Sequence, residues 1–206
     1  SGTEGTGDHP FTLLSNGLNN EIPNEAIVAR LGGTNRYETA AQISGTAFSS
    51  TNYAILVNHT AFLDALASSS LTRAYNAPIL YTNADSLPET TRNELQRLGV
   101  TNLFLIGGEN VITPKLEREL ANAYRVQRLW GQRAVDTARA IATFLRTTKS
   151  SDTALLSNIQ APQDGLVAGA FASRNYAPVF YSDRDTLHPD TFQALRNYRR
   201  VIIVGG

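Results

Sequence analysis

Four blocks of this sequence occur twice, in one order and at a nearly constant separation. R-L-G-G-T-N-R-Y-E-T-A (Arg30–Ala40) aligns without a gap on R-L-W-G-Q-R-A-V-D-T-A (Arg128–Ala138), an offset of 98. A-F-L-D-A-L-A-S-S-S (Ala61–Ser70) lies on A-P-Q-D-G-L-V-A-G-A (Ala161–Ala170) at an offset of 100, and A-P-I-L-Y on A-P-V-F-Y at the same offset. L-F-L-I-G-G (Leu103–Gly108) then meets V-I-I-V-G-G (Val201–Gly206), again at 98. A tandem duplication must fold as two like units, so every element read in one copy is tested by its homologue in the other. The first copy is taken as residues 22–123 and the second as 124–206, with 1–21 as a linker or an ordered N-terminal tail.

Within each copy the hydrophobic period alternates. Y-A-I-L-V-N, A-P-I-L-Y-T and N-L-F-L-I-G-G are short, continuously apolar and bounded by polar turns, which predicts strands covered on both faces. Between them Tyr37, Ala40, Ala41 and Ile43 define one helical face, and Leu63, Leu66, Ala67 and Leu71 another. A third, around Leu95 and Leu98, opens on S-L-P-E and closes at Gly99. The second copy repeats this with Val135, Ala138 and Ile141, then Leu166 and Phe171, then Phe192 and Leu195. Strand, helix and strand joined by short loops predict right-handed βαβ crossovers. The fold class expected is α/β, two tandem small parallel-sheet repeats.

Ligands of open α/β sheets dock beyond the carboxyl ends of the strands. Here those ends carry short amides, hydroxyls and carboxylates: Asn58-His59-Thr60, Thr82 to Asp85 with Asn83, and Gly107 to Asn110 in the first copy. In the second they are Asn158 to Gln160, Ser182 to Asp185 with Arg184, and Gly205-Gly206. Turn chemistry alone also asks for such residues. With 42% hydrophobic and 17% charged residues the composition is globular, and a formal net charge of zero argues against bulk adhesion to nucleic acid or anionic lipid. An anionic partner needs a local basic cluster. All basic residues except Lys115 and Lys149 are arginine, whose planar fork suits carboxylate and phosphate.

Enzyme chemistry finds little support. Cysteine is absent, so there is no thiol nucleophile, no disulfide framework and no cysteine-ligated metal. D-R-D (Asp183–Asp185) resembles a cation loop, but the first copy reads N-A-D there and no further acid completes a site. The glycine pairs lack a G-x-G-x-x-G frame or a P-loop lysine. None of His9, His59 and His188 recurs in the other copy, and Ser44 lies in no G-x-S-x-G elbow. Neither a metal nor a cofactor is expected. No apolar run reaches the length of a membrane span, and the absence of any methionine suggests a processed or excised piece.

The recurring Asp64 and Asp164 fall in a first helical turn, where a carboxylate is expected to accept free amides. Pro78, Pro178, Gly107 and Gly108 are further motif positions of structural role. Arg30 and Arg128 precede a glycine turn and could pair with a carboxylate, cap a strand or face a ligand. Arg36 has Ala134 opposite it, with Arg133 one residue earlier. Trp130 replaces the first glycine of R-L-G-G; packing between the copies is the expectation, with a flat face for a sugar as the alternative. Tyr81 and Tyr181 end their strands with the hydroxyl expected at the rim.

The ordered set R-L-G-G-T-N-R-Y-E-T-A, F-L-D-A-L-A, N-A-P-I-L-Y and L-F-L-I-G-G resembles the type 2 cell-wall-binding repeat of Gram-positive surface proteins and autolysins. The resemblance covers nearly all of residues 22–206. It implies a Toprim-like (Rossmannoid) fold and a non-covalent, non-catalytic anchor to an anionic secondary wall polymer. It also implies an extracellular site and three tandem copies about a pseudo-threefold axis. Polymer contact is attributed there to grooves between repeats and to the A-P-I-L-L region, here Ala77–Tyr81 and Ala177–Tyr181. The second copy departs from the pattern at Ala134 and Val135, and Tyr81 and Tyr181 stand where the family has leucine. The candidate ligand residues are Arg30, Arg36, Tyr81, Asn83, Arg128, Arg133, Tyr181 and Arg184. A third repeat, a self-associated copy or a fused surface or autolysin domain is the expected protein partner, and self-assembly in a surface layer is the alternative function.

Overall fold

Apolar strands that are covered on both faces need helices above and below, and the chain supplies them alternately. A computed structural model describes residues 35–161 and 165–205; the side chains of 165–168 lie outside that description. The element order is α1 (Arg36–Ala47), β1 (Tyr53–Asn58), α2 (Phe62–Ala67), α3 (Ser69–Tyr75), β2 (Ile79–Thr82), α4 (Glu89–Leu98), β3 (Asn102–Ile106), α5 (Pro114–Ala121) and β4 (Arg125–Leu129). It continues with α6 (Ala134–Thr148), β5 (Thr153–Asn158), α7 (Gly165–Asn175), β6 (Val179–Ser182), α8 (Pro189–Leu195) and β7 (Arg200–Val204). Two parallel sheets result, ordered β2-β1-β3-β4 and β6-β5-β7.

The duplication is visible in the registers. Ile55 pairs with Ile79 and Phe104 in the first sheet, as Leu155 pairs with Val179 and Ile202 in the second. Asn76 and Tyr176, one offset apart, both adopt the left-handed conformation that turns the helix into Ala-Pro. The helix starts correspond as well. The Asn35 side chain accepts the Glu38 amide to open α1, and in the homologous pair the roles are reversed, with Asp136 accepting the Arg133 amide at 3.0 Å to open α6.

Two features depart from the sequence reading. The helix expected across Leu63–Leu71 is two short helices that meet at Ser68, whose hydroxyl donates to the Ala65 carbonyl. More consequentially, β4 belongs by sequence to the second copy, yet it is the fourth strand of the first sheet and pairs with β3 from Asn102↔Arg125 to Ile106↔Leu129.

The repeats also share a core. One buried cluster joins Ile55, Leu66, Leu71 and Phe104 of the first to Val135, Ile141, Leu155, Ala172 and Tyr181 of the second. Phe144 of α6 stacks on Tyr75 at 6.0 Å and meets Phe104 edge-on at 5.5 Å. α3 packs on α7, where Thr72 and Ser173 share a hydrogen bond of 2.6 Å and the Arg73 guanidinium donates to the Arg174 carbonyl. A separate cluster around Leu56, Leu95, Leu103 and Leu116 fills the other face of the first sheet.

Candidate functional site

In the first sheet the chain leaves β1 toward β2 on one side and returns to β3 on the other, so the topological switch point lies between β1 and β3. The crevice outside such a point is where open α/β sheets take ligands. Here it is a cavity of about 600 Å³ bounded by Asp64, the Gly108–Val111 loop after β3, the Trp130–Arg133 loop after β4, and Thr137.

The crevice is shaped by close backbone approaches. Gly107 has φ +110, and a Cβ there would stand 2.4 Å from Val111 Cγ2 and 3.0 Å from Asp64 Oδ2, so only glycine fits. Arg128 holds the loop from behind. Its guanidinium donates to the Gly107 and Ile112 carbonyls, each at 2.8 Å, and pairs with Glu117 at 2.9 Å, with the side chain 8% exposed. Trp130 lies over Gly108 with its ring 3.5 Å from where a Cβ would be, and is 49% exposed. The expected burial between copies is therefore corrected: the ring rests against the short Gly108 and about half of it is left to solvent.

Asp64 sits in the first turn of α2 as expected, but caps nothing. The helix start has no side-chain cap bond, and Asp64 Oδ1 is buried without a hydrogen-bond partner. The residue is 7% exposed, and burial pushes its carboxyl up to about 6. A desolvated acceptor lining a cavity was the feature that sequence reasoning missed, since it depends on how the Gly107–Val111 loop folds over the helix.

A second concavity is a groove of about 1000 Å³ along α1, lined by Arg36, Ala40, Ile43, His59, Phe62, Pro78, Ile79 and Tyr81. Arg36 is exposed and donates to the His59 carbonyl at 2.6 Å. Tyr37 packs on the His59 ring, and its hydroxyl donates to Asn83, which thereby joins the same edge. Burial raises the Tyr81 hydroxyl above its usual range, and Arg36 opposes the shift. In the second repeat the homologous seat is filled. Ile43 is 51% exposed whereas its counterpart Ile141 is 1% exposed, covered by α2 of the first repeat. Tyr181 is wholly buried there and donates its hydroxyl to the Leu63 carbonyl at 2.6 Å.

The structure thus brings together Arg36, Tyr81 and Asn83 at the groove. Arg133 and Arg184 form a second group: Arg133 lies 3.8 Å from Asp183, and the next residue, Arg184, is 75% exposed with Asp185 at 3.9 Å. It gives Arg128 and Tyr181 internal partners instead of a place at the rim, because their polar groups are needed to satisfy buried carbonyls. Pro78 and Pro178 precede β2 and β6, where their carbonyls receive the Ile55 and Leu155 amides. Arg30, Asp164 and residues 1–21 lie outside the described residues. Ser44 donates to Glu94 in the core. Among the described residues no cluster of three or more His, Asp or Glu is placed to hold a metal, and no helix is long and apolar enough to cross a membrane.

The chain matches the family described as cell wall binding domain 2 across residues 30–117 and 128–206, one match per copy. It belongs to the cell wall binding domain 2 family. The family places this module at the extracellular cell wall of Gram-positive bacteria. The chain is similar to the N-acetylmuramoyl-L-alanine amidase LytC of Bacillus subtilis, 28% identical over 87% of this chain and 36% of that protein. It is 31% identical to the amidase enhancer of the same organism, over 88% of this chain and 25% of the relative. The cell wall binding domain 2 chain therefore spans about a third or less of these relatives. Among solved structures it resembles Cwp8 from Clostridium difficile, with TM-score 0.78 and 29% identity over 85% of this chain and 30% of that one. Cwp6 from the same organism shares the fold, with TM-score 0.80 and 24% identity over 89% and 31%.

Proposed function

We propose that this chain is a non-catalytic anchoring module that holds an exported protein on an anionic wall glycopolymer. The observation that carries the reading is the match of both copies to a wall-binding family. Its fine detail is supported by the arginines. Arg36 is exposed at the groove, while Arg133 and Arg184 stand on one rim of the second repeat with ion pairs of 3.7–3.9 Å, too long and too exposed to hold them fast. With zero net charge, attraction to a polyanion must come from such local sets. Two weak sites on one tether gain avidity through effective concentration.

Co-sedimentation with purified walls tests this. Binding should weaken as salt is raised, and Arg133→Ala with Arg184→Ala should weaken it further while thermal stability is unchanged. Salt-insensitive binding, or a double variant that binds as well as the parent, removes the anionic-polymer reading.

A second reading, assembly with another repeat, is favoured by one comparison. The groove along α1 is the homologue of the seat that α2 of the first repeat fills in the second. Its natural occupant is an F-L-D-A-L-A helix from a further copy of the repeat. Sedimentation velocity over a concentration series decides it: association that Ile43→Glu abolishes supports this reading, and a monomer at all concentrations ends it.

A further inference from the structure

We infer that the crevice at the β1/β3 switch point is a pyranose site, in which Asp64 accepts hydroxyl hydrogens and the exposed face of Trp130 carries the sugar ring. This rests on the wall-glycopolymer reading and deepens it, by adding a neutral-sugar contact beside the charged groups at the rim.

The argument begins with the unsatisfied acceptor. A carboxylate that is 93% removed from solvent, by its 7% exposure, and has a partnerless oxygen is costly, and folded proteins almost always supply a donor. None comes from within the described residues, where Asp64 Oδ1 has no hydrogen-bond partner. The cavity that Asp64 lines is the route by which a donor from outside, a water or a ligand hydroxyl, reaches this carboxylate.

Donor chemistry narrows the choice. A phosphate offers acceptors and would be repelled by Asp64. A metal ion asks for further acids, and no cluster of three exists among the described residues. An ammonium would suit Asp64 but would meet Arg133 at the same crevice wall. Neutral hydroxyls satisfy the carboxylate with no such conflict. The second observation is independent: an indole ring 49% exposed and backed by Gly108, a flat apolar platform of the kind that takes the C–H face of a sugar. The cavity, about 600 Å³, has room for a mono- or disaccharide.

Trp130 is the chain's single tryptophan, so its emission reports this crevice alone. The full chain is titrated with methyl glycosides of glucose, galactose, mannose, rhamnose and N-acetylglucosamine. At least one should shift the emission saturably, with affinity roughly in the millimolar range. The response should be unchanged by salt up to about 0.5 M, because the ligand is neutral. Asp64→Asn should weaken it by about tenfold, through loss of the charged acceptor. Should Asp64→Asn fail to fold, Trp130→Leu serves as the second variant, with glycoside contact followed by saturation-transfer NMR and expected to vanish.

No saturable response to any glycoside, or equal affinity in Asp64→Asn and the parent, overturns the inference. Wall co-sedimentation is scored separately. A chain that sediments with walls but answers to no glycoside loses this site and keeps its anchoring role. One that binds a glycoside but not walls keeps the site and loses the role.

Discussion

At the scale of single residues, Asp64 sets a ligand-facing role against stability. Its carboxyl titrates near 6 in the fold, against about 3.9 in an unfolded chain. Between those values the native state holds more protons than the unfolded state, so stability falls as pH rises from about 4 to about 6 and the penalty is complete above that window. Asp64→Asn should therefore raise the melting temperature at pH 7.5, by a free energy on the order of 2 kcal/mol, with the gain shrinking toward pH 4.5. Thermal melts of both proteins at the two pH values check this. A variant that is destabilised at pH 7.5 would mean that the carboxylate has an internal partner after all. No residue pattern around position 64 hints at this cost. Position 64 read as a first-turn acid because helix spacing and residue type are local, and capping was the natural inference from them. Whether amides reach the carboxylate depends on a loop more than forty residues downstream, which residue pattern does not encode. Arg128 was ambiguous for the same reason. An arginine before a glycine turn can face either way, and only the buried carbonyls of Gly107 and Ile112 decide it.

At the scale of elements, the crevice depends on one loop held between a forbidden side chain and a buried cation. Gly107→Ala must place a Cβ against Val111 at a positive φ, and should cost about 2 kcal/mol or more. Adding Val111→Ala relieves the contact but not the dihedral, so chemical denaturation should show partial recovery only. Arg128→Ala leaves Glu117 and two carbonyls without their donor and should cost about 3–5 kcal/mol, with wall binding at low temperature no worse than the loss of folded protein accounts for. Binding that falls while stability holds would return Arg128 to the ligand. Much at this scale was legible. Y-A-I-L-V-N is β1 residue for residue, Gly99 ends α4 in the left-handed conformation, and α1 and α6 start at homologous positions, Arg36 and Ala134. What escaped was β4. Y-R-V-Q-R-L-W mixes polar and apolar residues, unlike the continuously apolar strands, and its partner could not be read from it. Copy boundaries drawn from sequence follow the duplication, whereas strands pair wherever a sheet edge is open.

At the scale of the whole molecule, the two described repeats behave as one body because they share a core. Leu66 of α2 and Ile141 of α6 lie in the same cluster, β4 ties the second copy to the first sheet, and Gly169 brings α7 so near that a Cβ would stand 3.3 Å from both Leu66 and Ser69. Two separately stable repeats would melt in two steps. A shared core predicts one transition, seen at the same temperature by far-ultraviolet circular dichroism and by Trp130 emission. Gly169→Val should force α3 and α7 apart and lower that single midpoint, while Tyr181→Phe, which loses only the hydroxyl bond to Leu63, should lower it by about 1 kcal/mol. The reason for such coupling lies in the seat comparison. A repeat of this kind buries its α1-type helix only when a neighbour's α2 lies across it, as happens for Ile141 and not for Ile43. Burying a side chain such as Ile43 fully is worth about 1.5–3 kcal/mol, so a peptide or protein bearing the F-L-D-A-L-A helix that docks in the groove should raise the midpoint of the whole chain and not of the first repeat alone. Ile43→Glu should abolish that rise. A stabilisation confined to one of two separable transitions would show instead that the repeats are independent beads on a tether.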